Sequence, residues 1–181
     1  FYKKGSDTDF KYVFPYHVKS IAILKDVIAN TPNDAIALMY YGDLMYYLRR
    51  HDEAIVSWEA SYKSKPDNFR VTRNLAISKY MIDKNLANAV KLLEESYANH
   101  QTLRSFSELE QFYKLAKDYK KLESFYDSNE EMLRLKGEYA LNAAELYTTL
   151  GRYKDAQKAL ANTYYNAIEK AMGTPVRHSV Y

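Results

Sequence analysis

The sequence predicts an all-α fold in which helix–turn–helix hairpins repeat along the chain and stack on one another. Residues 35–68 show one such hairpin, since two short amphipathic helical patterns are joined at Arg50-His51-Asp52 and closed by Pro66-Asp67-Asn68. The same arrangement of large and small residues then recurs at intervals of about 34 residues. One hairpin cannot bury its own apolar face, so about three or more must stack for stability.

Five columns of equivalent residues appear when the hairpins are aligned. The first helices contribute the columns Leu38, Thr72, Phe106, Ala140; Tyr41, Leu75, Leu109, Ala143; and Met45, Lys79, Tyr113, Tyr147. The second helices contribute Ser20, Ala54, Ala89, Leu122, Ala156 at one position and Leu24, Trp58, Leu93, Tyr126, Leu160 at another. The first of these second-helix columns marks a close helix crossing, and the other supplies the bulk that fills the space between helices.

The columns predict a helical-repeat array over residues 15–172. An extended N-terminal segment or linker at 1–14 precedes it, and a C-terminal tail at 173–181 follows it. The array divides into the half repeat 15–34 and the repeats 35–68, 69–102, 103–136 and 137–172. A one-residue slip in the columns before Ala89 predicts an extra turn residue near Asp83–Asn85.

The half repeat carries only the second-helix pattern, so the predicted array begins in mid-repeat. Its uncovered apolar side requires a partner, which we expect to be residues 1–14 or a neighbouring domain. The chain also starts at Phe1 rather than at an initiator methionine. We therefore expect it to be a piece of a longer polypeptide.

Bulk composition narrows the class of protein. The chain has 181 residues, of which 47% are hydrophobic and 27% charged, and this balance is typical of a soluble globular protein. A net charge of +3 is too small to favour nucleic acid as a partner. The absence of cysteine excludes disulfides and thiolate metal sites. No apolar run reaches the roughly 18 residues of a membrane span, and we expect a soluble protein, with the cytoplasm favoured.

Motifs that carry enzymatic chemistry are missing from the sequence. It contains no phosphate-binding glycine loop, no nucleophile elbow and no zinc-protease helix motif. The four histidines lie far apart without metal-ligand spacing, and His51 belongs to a hairpin turn. The adjacent carboxylates Glu94-Glu95 and Glu130-Glu131 diverge from each other on a helix. We therefore predict a protein that is not an enzyme and needs no cofactor.

The first complete hairpin resembles the tetratricopeptide repeat. The resemblance rests on the spacing of Leu38, Tyr41, Gly42, Met45, Ala54, Trp58 and Pro66. It implies a right-handed α-solenoid whose first helices line a concave groove. It also implies a scaffold or protein–protein interaction module that binds a segment of a partner protein in that groove.

A narrower resemblance comes from three phrases of the aligned repeats. They are Phe14-Pro15-Tyr16 with Ser20-Ile21-Ala22-Ile23-Leu24, Asn68-Phe69-Arg70 with Arg73-Asn74-Leu75-Ala76-Ile77, and 107–114 (SELEQFYK). Together they are similar to the C-terminal helical region of a family of large bacterial proteins. In that family an uncharacterised β-sandwich domain, related to sugar mutarotases, precedes the repeats. This resemblance implies an alternative function, an accessory domain of a carbohydrate-active protein whose catalytic domain is not in this chain.

The residues predicted to face the groove form the candidate binding site. They are Asp43, Tyr46, Tyr47, Arg70, Arg73, Ile77, Tyr80, Arg104, Gln111 and Lys114. Arginine forks beside tyrosine rings suit an extended peptide that carries acidic groups or a free carboxylate. The same residue types also suit a sugar ring stacked on an aromatic face. In the other interpretation the tyrosines pack between repeats and the cations pair with Asp43, Glu108 or Glu110.

Overall fold

A computed structural model describes residues 17–161 of the chain. These residues are helical with short connections and contain no strand, so the predicted all-α class is confirmed. The predicted segment 1–14, the last residues of the array at 162–172 and the tail 173–181 lie outside the described residues. The chain divides into two compact units between Ser105 and Phe106, and each is described by itself.

The described residues form ten helices. They are α1 (Ser20–Asn30), α2 (Ala35–Tyr47), α3 (His51–Ser64), α4 (Phe69–Asp83), α5 (Leu86–Asn99), α6 (Leu103–Ala116), α7 (Tyr119–Ser128), α8 (Glu130–Leu135), α9 (Gly137–Thr149) and α10 (Tyr153–Ala161). Within the first unit, α2 packs against α3, α3 against α4, and α4 against α5. Within the second unit, α9 packs against α7, α8 and α10.

The first helices of successive hairpins start at regular intervals. They begin at Ala35, Phe69, Leu103 and Gly137, so each starts 34 residues after the one before. Side-chain caps set two of these starts. Asp34 accepts hydrogen bonds from the backbone N–H groups of Ile36 and Ala37, and Asn68 accepts one from Arg70. The division into one half repeat and four repeats is our interpretation of this order of helices.

Each turn within a hairpin contains one residue with a left-handed backbone. The residues are Arg49 (φ 63°), Lys84 (φ 53°), Lys117 (φ 53°) and Gly151 (φ 74°). Glycine accepts this conformation at no steric cost, whereas other residues pay roughly 1 kcal/mol for it. Three basic residues therefore occupy a turn position for which glycine is the natural choice.

The core of the first unit is centred on Trp58 of α3, which is almost completely buried. Its indole lies against Gly42 of α2, where the absence of a side chain leaves room for the ring. Nearby, Ser57 and Ser61 donate hydrogen bonds to the carbonyl oxygens of Leu38 and Ala35 at 2.7 and 2.6 Å. These bonds satisfy buried hydroxyl groups while holding α3 against α2.

The core of the second unit is aromatic. The ring of Phe106 lies 4.7 Å from that of Phe125 and 5.0 Å from that of Tyr139, and Tyr126 is fully buried beside them. The second helix of this hairpin is interrupted, because α7 ends at Ser128 and the short α8 follows Asn129. Asn129 donates its side-chain amide to the carbonyl of Phe125 at 2.7 Å, and this bond competes with continuation of the helix.

Candidate partner-binding surface

Eight of the ten predicted groove residues belong to the first unit. Asp43, Tyr46 and Tyr47 lie on α2, while Arg70, Arg73, Ile77 and Tyr80 lie on α4 and Arg104 lies in the first turn of α6. The remaining two, Gln111 and Lys114, belong to the second unit.

Asp43 is a buried carboxylate that joins three helices. Only 4% of the residue is exposed. Its Oδ1 accepts hydrogen bonds from Trp58 Nε1 on α3 at 3.1 Å and from Asn74 Nδ2 on α4 at 3.0 Å. Its Oδ2 lies 2.6 Å from a terminal guanidinium nitrogen of Arg70. The aspartate therefore fixes α2 to α3 and to α4, and a partner on the surface meets Arg70 rather than the carboxylate beneath it.

Burial raises the pKa of the Asp43 carboxyl. The Arg70 guanidinium and the N–H donors of Trp58 and Asn74 act in the opposite direction, because they stabilise the charged form. The positive charge of Arg70 is balanced in turn by this carboxylate. The guanidinium also lies 5.8 Å from the centre of the Tyr40 ring. Arg70 is thus held on both sides by its neighbours. Its pairing with Asp43 agrees with the other interpretation of the sequence, in which the groove cations pair with nearby carboxylates.

Tyr46 and Tyr47 are exposed at the carboxyl end of α2. Tyr47 is 59% exposed. The ring of Tyr46 meets His51 edge-on at 4.7 Å and lies 5.4 Å from Trp58, so the core supports one of its faces. Such a supported and partly exposed ring offers apolar area without a large entropic cost of ordering.

The α4 side of this surface is mixed in character. Arg73, Ile77 and Tyr80 are half-buried, and Met81 beside them is 60% exposed. Arg73 Nη1 donates to the side-chain oxygen of Asn74 at 3.0 Å, and Lys84 lies over the Tyr80 ring. Basic, aromatic and aliphatic groups thus follow one another along the helix.

The second unit contains a buried carboxylate with the same kind of partners. Glu110 of α6 is 2% exposed. Its Oε1 accepts from the Tyr126 hydroxyl on α7 at 2.6 Å and from Asn142 Nδ2 on α9 at 3.0 Å. Lys114 lies 3.3 Å from the same oxygen, and Gln111 is exposed. The charge of Lys114 is therefore balanced inside its own helix.

The two buried carboxylates repeat one device. Trp58 and Tyr126 share an alignment column, and Asn74 and Asn142 are each the sixth residue of a predicted repeat. In both units a carboxylate on a first helix thus bonds to an aromatic donor on the next helix and to an asparagine on the following first helix. This pattern is present in the aligned repeats, but it becomes visible only when their polar residues are compared as well as their large and small apolar ones.

A second charged cluster surrounds Arg152 at the start of α10. Its guanidinium bonds to Glu123, Asp127 and Asp155 at 2.7 to 3.0 Å and lies 4.6 Å from the Tyr147 ring centre. A surface cleft of about 250 Å³ opens beside these groups. Burial and the hydrogen bond to Asp127 raise the pKa of the Tyr147 hydroxyl. One guanidinium is shared by three carboxylates, so the cluster keeps a net negative charge. Its hydrogen bonds link α7 to the start of α10, which indicates a structural role.

The stability of the protein should depend on the ionisation of Asp127. Partial burial acts to raise the pKa of its carboxyl, but hydrogen bonds from Arg152 and Tyr147 outweigh burial and lower the pKa. Because the folded-state pKa lies below the unfolded value, the stabilisation is present above about pH 4 and is lost as the pH falls below it. Urea unfolding at several pH values should show that Asp127→Asn costs stability near neutral pH and progressively less in acid. A cost that stays constant with pH would contradict this origin.

Residues 17–161 contain no group of histidine and carboxylate side chains that could hold a metal ion. In the same residues no helix has both the length and the apolar character of a membrane span.

Comparison with known proteins identifies the fold. No family model matches the sequence, and no curated protein matches it. Among solved structures, the chain is similar to MamA, with a TM-score of 0.60 and 18% identity over 86% of this chain and 88% of that one. It is also similar to YrrB, described as a TPR protein with an unusual peptide-binding site, with a TM-score of 0.61 and 12% identity over 77% and 72%. A third is pilF of Pseudomonas aeruginosa, with a TM-score of 0.55 and 16% identity over 90% and 80%.

These similarities confirm that the hairpins are of the tetratricopeptide type, as the spacing of their large and small residues predicts. Identities below 20% show the fold alone. None of the comparisons supports the predicted relation to mutarotase-like proteins.

Proposed function

We propose that the chain is a non-enzymatic interaction module that binds an extended segment of a partner protein on the surface formed by α2 and α4. The observation that carries the proposal is the exposure of Tyr46, Tyr47 and Met81 on the two helices that also hold Asp43–Arg70 and Arg73–Asn74 in ordered contacts. Large aromatic and aliphatic groups next to ordered guanidinium groups are typical of binding hot spots.

The partner segment should combine apolar side chains with a carboxylate. The charge of Arg70 is largely balanced by Asp43, so the tyrosine rings and Met81 should supply most of the contact area. Arg73 and Arg104, the other arginines of the predicted groove in this unit, would then select for an acidic group. The acidic character of the partner therefore depends on these two residues.

The peptide-binding site named for YrrB supports this type of function, because the two chains share the tetratricopeptide fold. At 12% identity the comparison carries no residue of that site over to this chain.

A selected peptide allows the proposal to be tested without knowledge of the natural partner. Peptides that bind the whole chain would be selected from a random displayed library, and their affinity measured by fluorescence anisotropy. Tyr47→Ala together with Arg73→Glu should weaken binding on the order of 100-fold, since each site removes a hot-spot contact. Adding Arg104→Glu should reduce the preference for acidic peptides.

The matched control is Val56→Ala together with Lys91→Glu. Both residues are exposed in the first unit, but they lie on the second helices α3 and α5. The control makes the same kinds of change, and we expect it to leave binding and the helical circular dichroism unchanged. If the groove variant and the control bind the selected peptides equally well, the α2–α4 surface is not the contact site.

A further inference from the structure

Exposed apolar side chains are concentrated at one kind of connection. Eight of the twelve large apolar side chains exposed in residues 17–161 flank the turns within hairpins, and they are Tyr46, Tyr47, Met81, Ile82, Leu115, Tyr119, Leu150 and Tyr153. The connections between hairpins at 31–34 and 65–68 are polar instead. Core packing does not require this distribution, because these side chains are in solvent.

In the second unit the two hairpin turns lie at the same end. The rings of Phe106 and Tyr139, near the starts of α6 and α9, are 5.0 Å apart. One helical turn further on, Glu110 accepts a hydrogen bond from Asn142. The two helices therefore run side by side in the same direction and have nearly equal lengths of 14 and 13 residues. The two hairpin turns follow the carboxyl ends of these helices and therefore lie at the same end of the unit.

This end combines aliphatic and tyrosine side chains. Leu115 and Tyr119 flank the first turn, and Leu150 and Tyr153 flank the second, all with 45% to 58% of their surface exposed. Leucine favours a hydrocarbon environment, whereas tyrosine favours the boundary between hydrocarbon and water, where its hydroxyl remains hydrated. Such a mixture suits a boundary that has hydrocarbon on one side and water on the other.

Lysines surround the same apolar side chains. Lys117, Lys120 and Lys154 are exposed, and none of the three forms an ion pair with another residue of the described part of the chain. The nearby acidic groups already have roles, since Asp118 caps α7 and Asp155 pairs with Arg152. Counted with Lys121 and Arg152, these lysines face the four carboxylates Asp118, Glu123, Asp127 and Asp155, so the net charge of this end is only about +1. The carboxylates are engaged with Arg152 or with the start of α7, whereas the three lysines are exposed and unpaired within the described residues.

We propose that this end of the second unit docks onto the anionic headgroup surface of a lipid bilayer. The lysines would attract anionic headgroups, and their flexible stems would let the leucines and tyrosines reach the acyl boundary. Binding to a bilayer requires no shape-complementary pocket, so separate side chains that project from two short turns are sufficient for it. The surface uses no residue of the proposed peptide-binding surface on α2 and α4, so either proposal can fail without the other.

Vesicle flotation of the whole chain tests the proposal. We expect it to float with vesicles of phosphatidylcholine that contain roughly 30% phosphatidylserine, and to remain behind with phosphatidylcholine alone. Raising the ionic strength to about 0.5 M should release most of the bound protein. Lys120→Glu with Lys154→Glu should lower the partition coefficient by at least about tenfold, and Leu115→Ser with Tyr153→Ser should also weaken it.

Two controls distinguish this end from general charge and hydrophobicity. Lys25→Glu with Lys63→Glu changes the net charge by the same amount on exposed positions of α1 and α3, and Leu135→Ser removes an exposed leucine elsewhere in the second unit. Both should float as the unaltered chain does. Failure of the unaltered chain to float with the anionic vesicles overturns the proposal, and so does an equal loss in the control variants.

Discussion

Replacing Asp43 by alanine is expected to lower the free energy of unfolding by about 3 kcal/mol, because it removes the acceptor shared by three buried or half-buried donors. The indole N–H of Trp58 and the amide of Asn74 would each lose their hydrogen bond, and Arg70 would lose its counter-charge. Urea denaturation followed by Trp58 fluorescence would measure the loss, since this is the only tryptophan in the chain.

The matched control for this prediction is Glu59→Ala. Glu59 forms an ion pair with Lys79 between α3 and α4, but roughly half of its side chain is exposed. Solvent screening limits such a pair to well under 1 kcal/mol. Equal losses for the two variants would show that burial contributes nothing at Asp43.

The equivalent carboxylate of the second unit should behave in the same way. Glu110→Ala leaves the Tyr126 hydroxyl and the Asn142 amide without their acceptor; Tyr126 is fully buried and Asn142 is half-buried. Burial and the hydrogen bond to Glu110 raise the pKa of the Tyr126 hydroxyl, so Tyr126 remains a donor under ordinary conditions. The two devices therefore stabilise their units independently, each linking one hairpin to the next.

The all-α fold class and the spacing of the hairpins could be predicted from the sequence, because both depend on the periodicity of large and small residues. The positions of Leu38, Ala54 and Trp58 specify where two helices cross and which residues lie between them, and packing follows the same rule in every hairpin. Local turn chemistry was a weaker signal. Gly151 marks a left-handed turn in the sequence, but Arg49 and Lys117 adopt the same conformation against their preference, so propensity alone does not identify them.

The candidate surface could be predicted only in part. Periodicity places Asp43 on the same helical face as Tyr46 and Tyr47, but it does not show which part of that face the neighbouring α4 covers. The structure buries Asp43 beneath Arg70 and leaves Tyr47 exposed, so that one of the predicted groove arginines is already paired and the exposed tyrosine gains in importance for binding. The assignment of these residues to partner binding stays a prediction until the peptide selection is done.

Gly42→Ala should destabilise the first unit by about 3 kcal/mol, although it adds a single methyl group. A Cβ atom at position 42 would lie 2.5 Å from Trp58 Cδ1 and 2.6 Å from its Nε1. The indole is buried and its Nε1 is hydrogen-bonded to Asp43, so it can move only by breaking that bond or by disturbing the surrounding packing. Overpacking of this kind typically costs 1–3 kcal/mol, and the loss of a buried hydrogen bond adds about 1 kcal/mol.

Gly151→Ala provides the comparison, since it makes the same change at a glycine with open space around it. Its positive φ of 74° alone should cost about 1 kcal/mol. A second comparison places Gly42→Ala in a Trp58→Val background, because the valine side chain ends before the positions of the Cδ1 and Nε1 atoms that the new methyl group meets. If the clash is the cause, Gly42→Ala must cost less in that background than in the unaltered chain, and thermal or urea unfolding of the four variants would measure the difference. Equal costs in both backgrounds would show that backbone freedom, rather than the close approach of Trp58, accounts for the glycine.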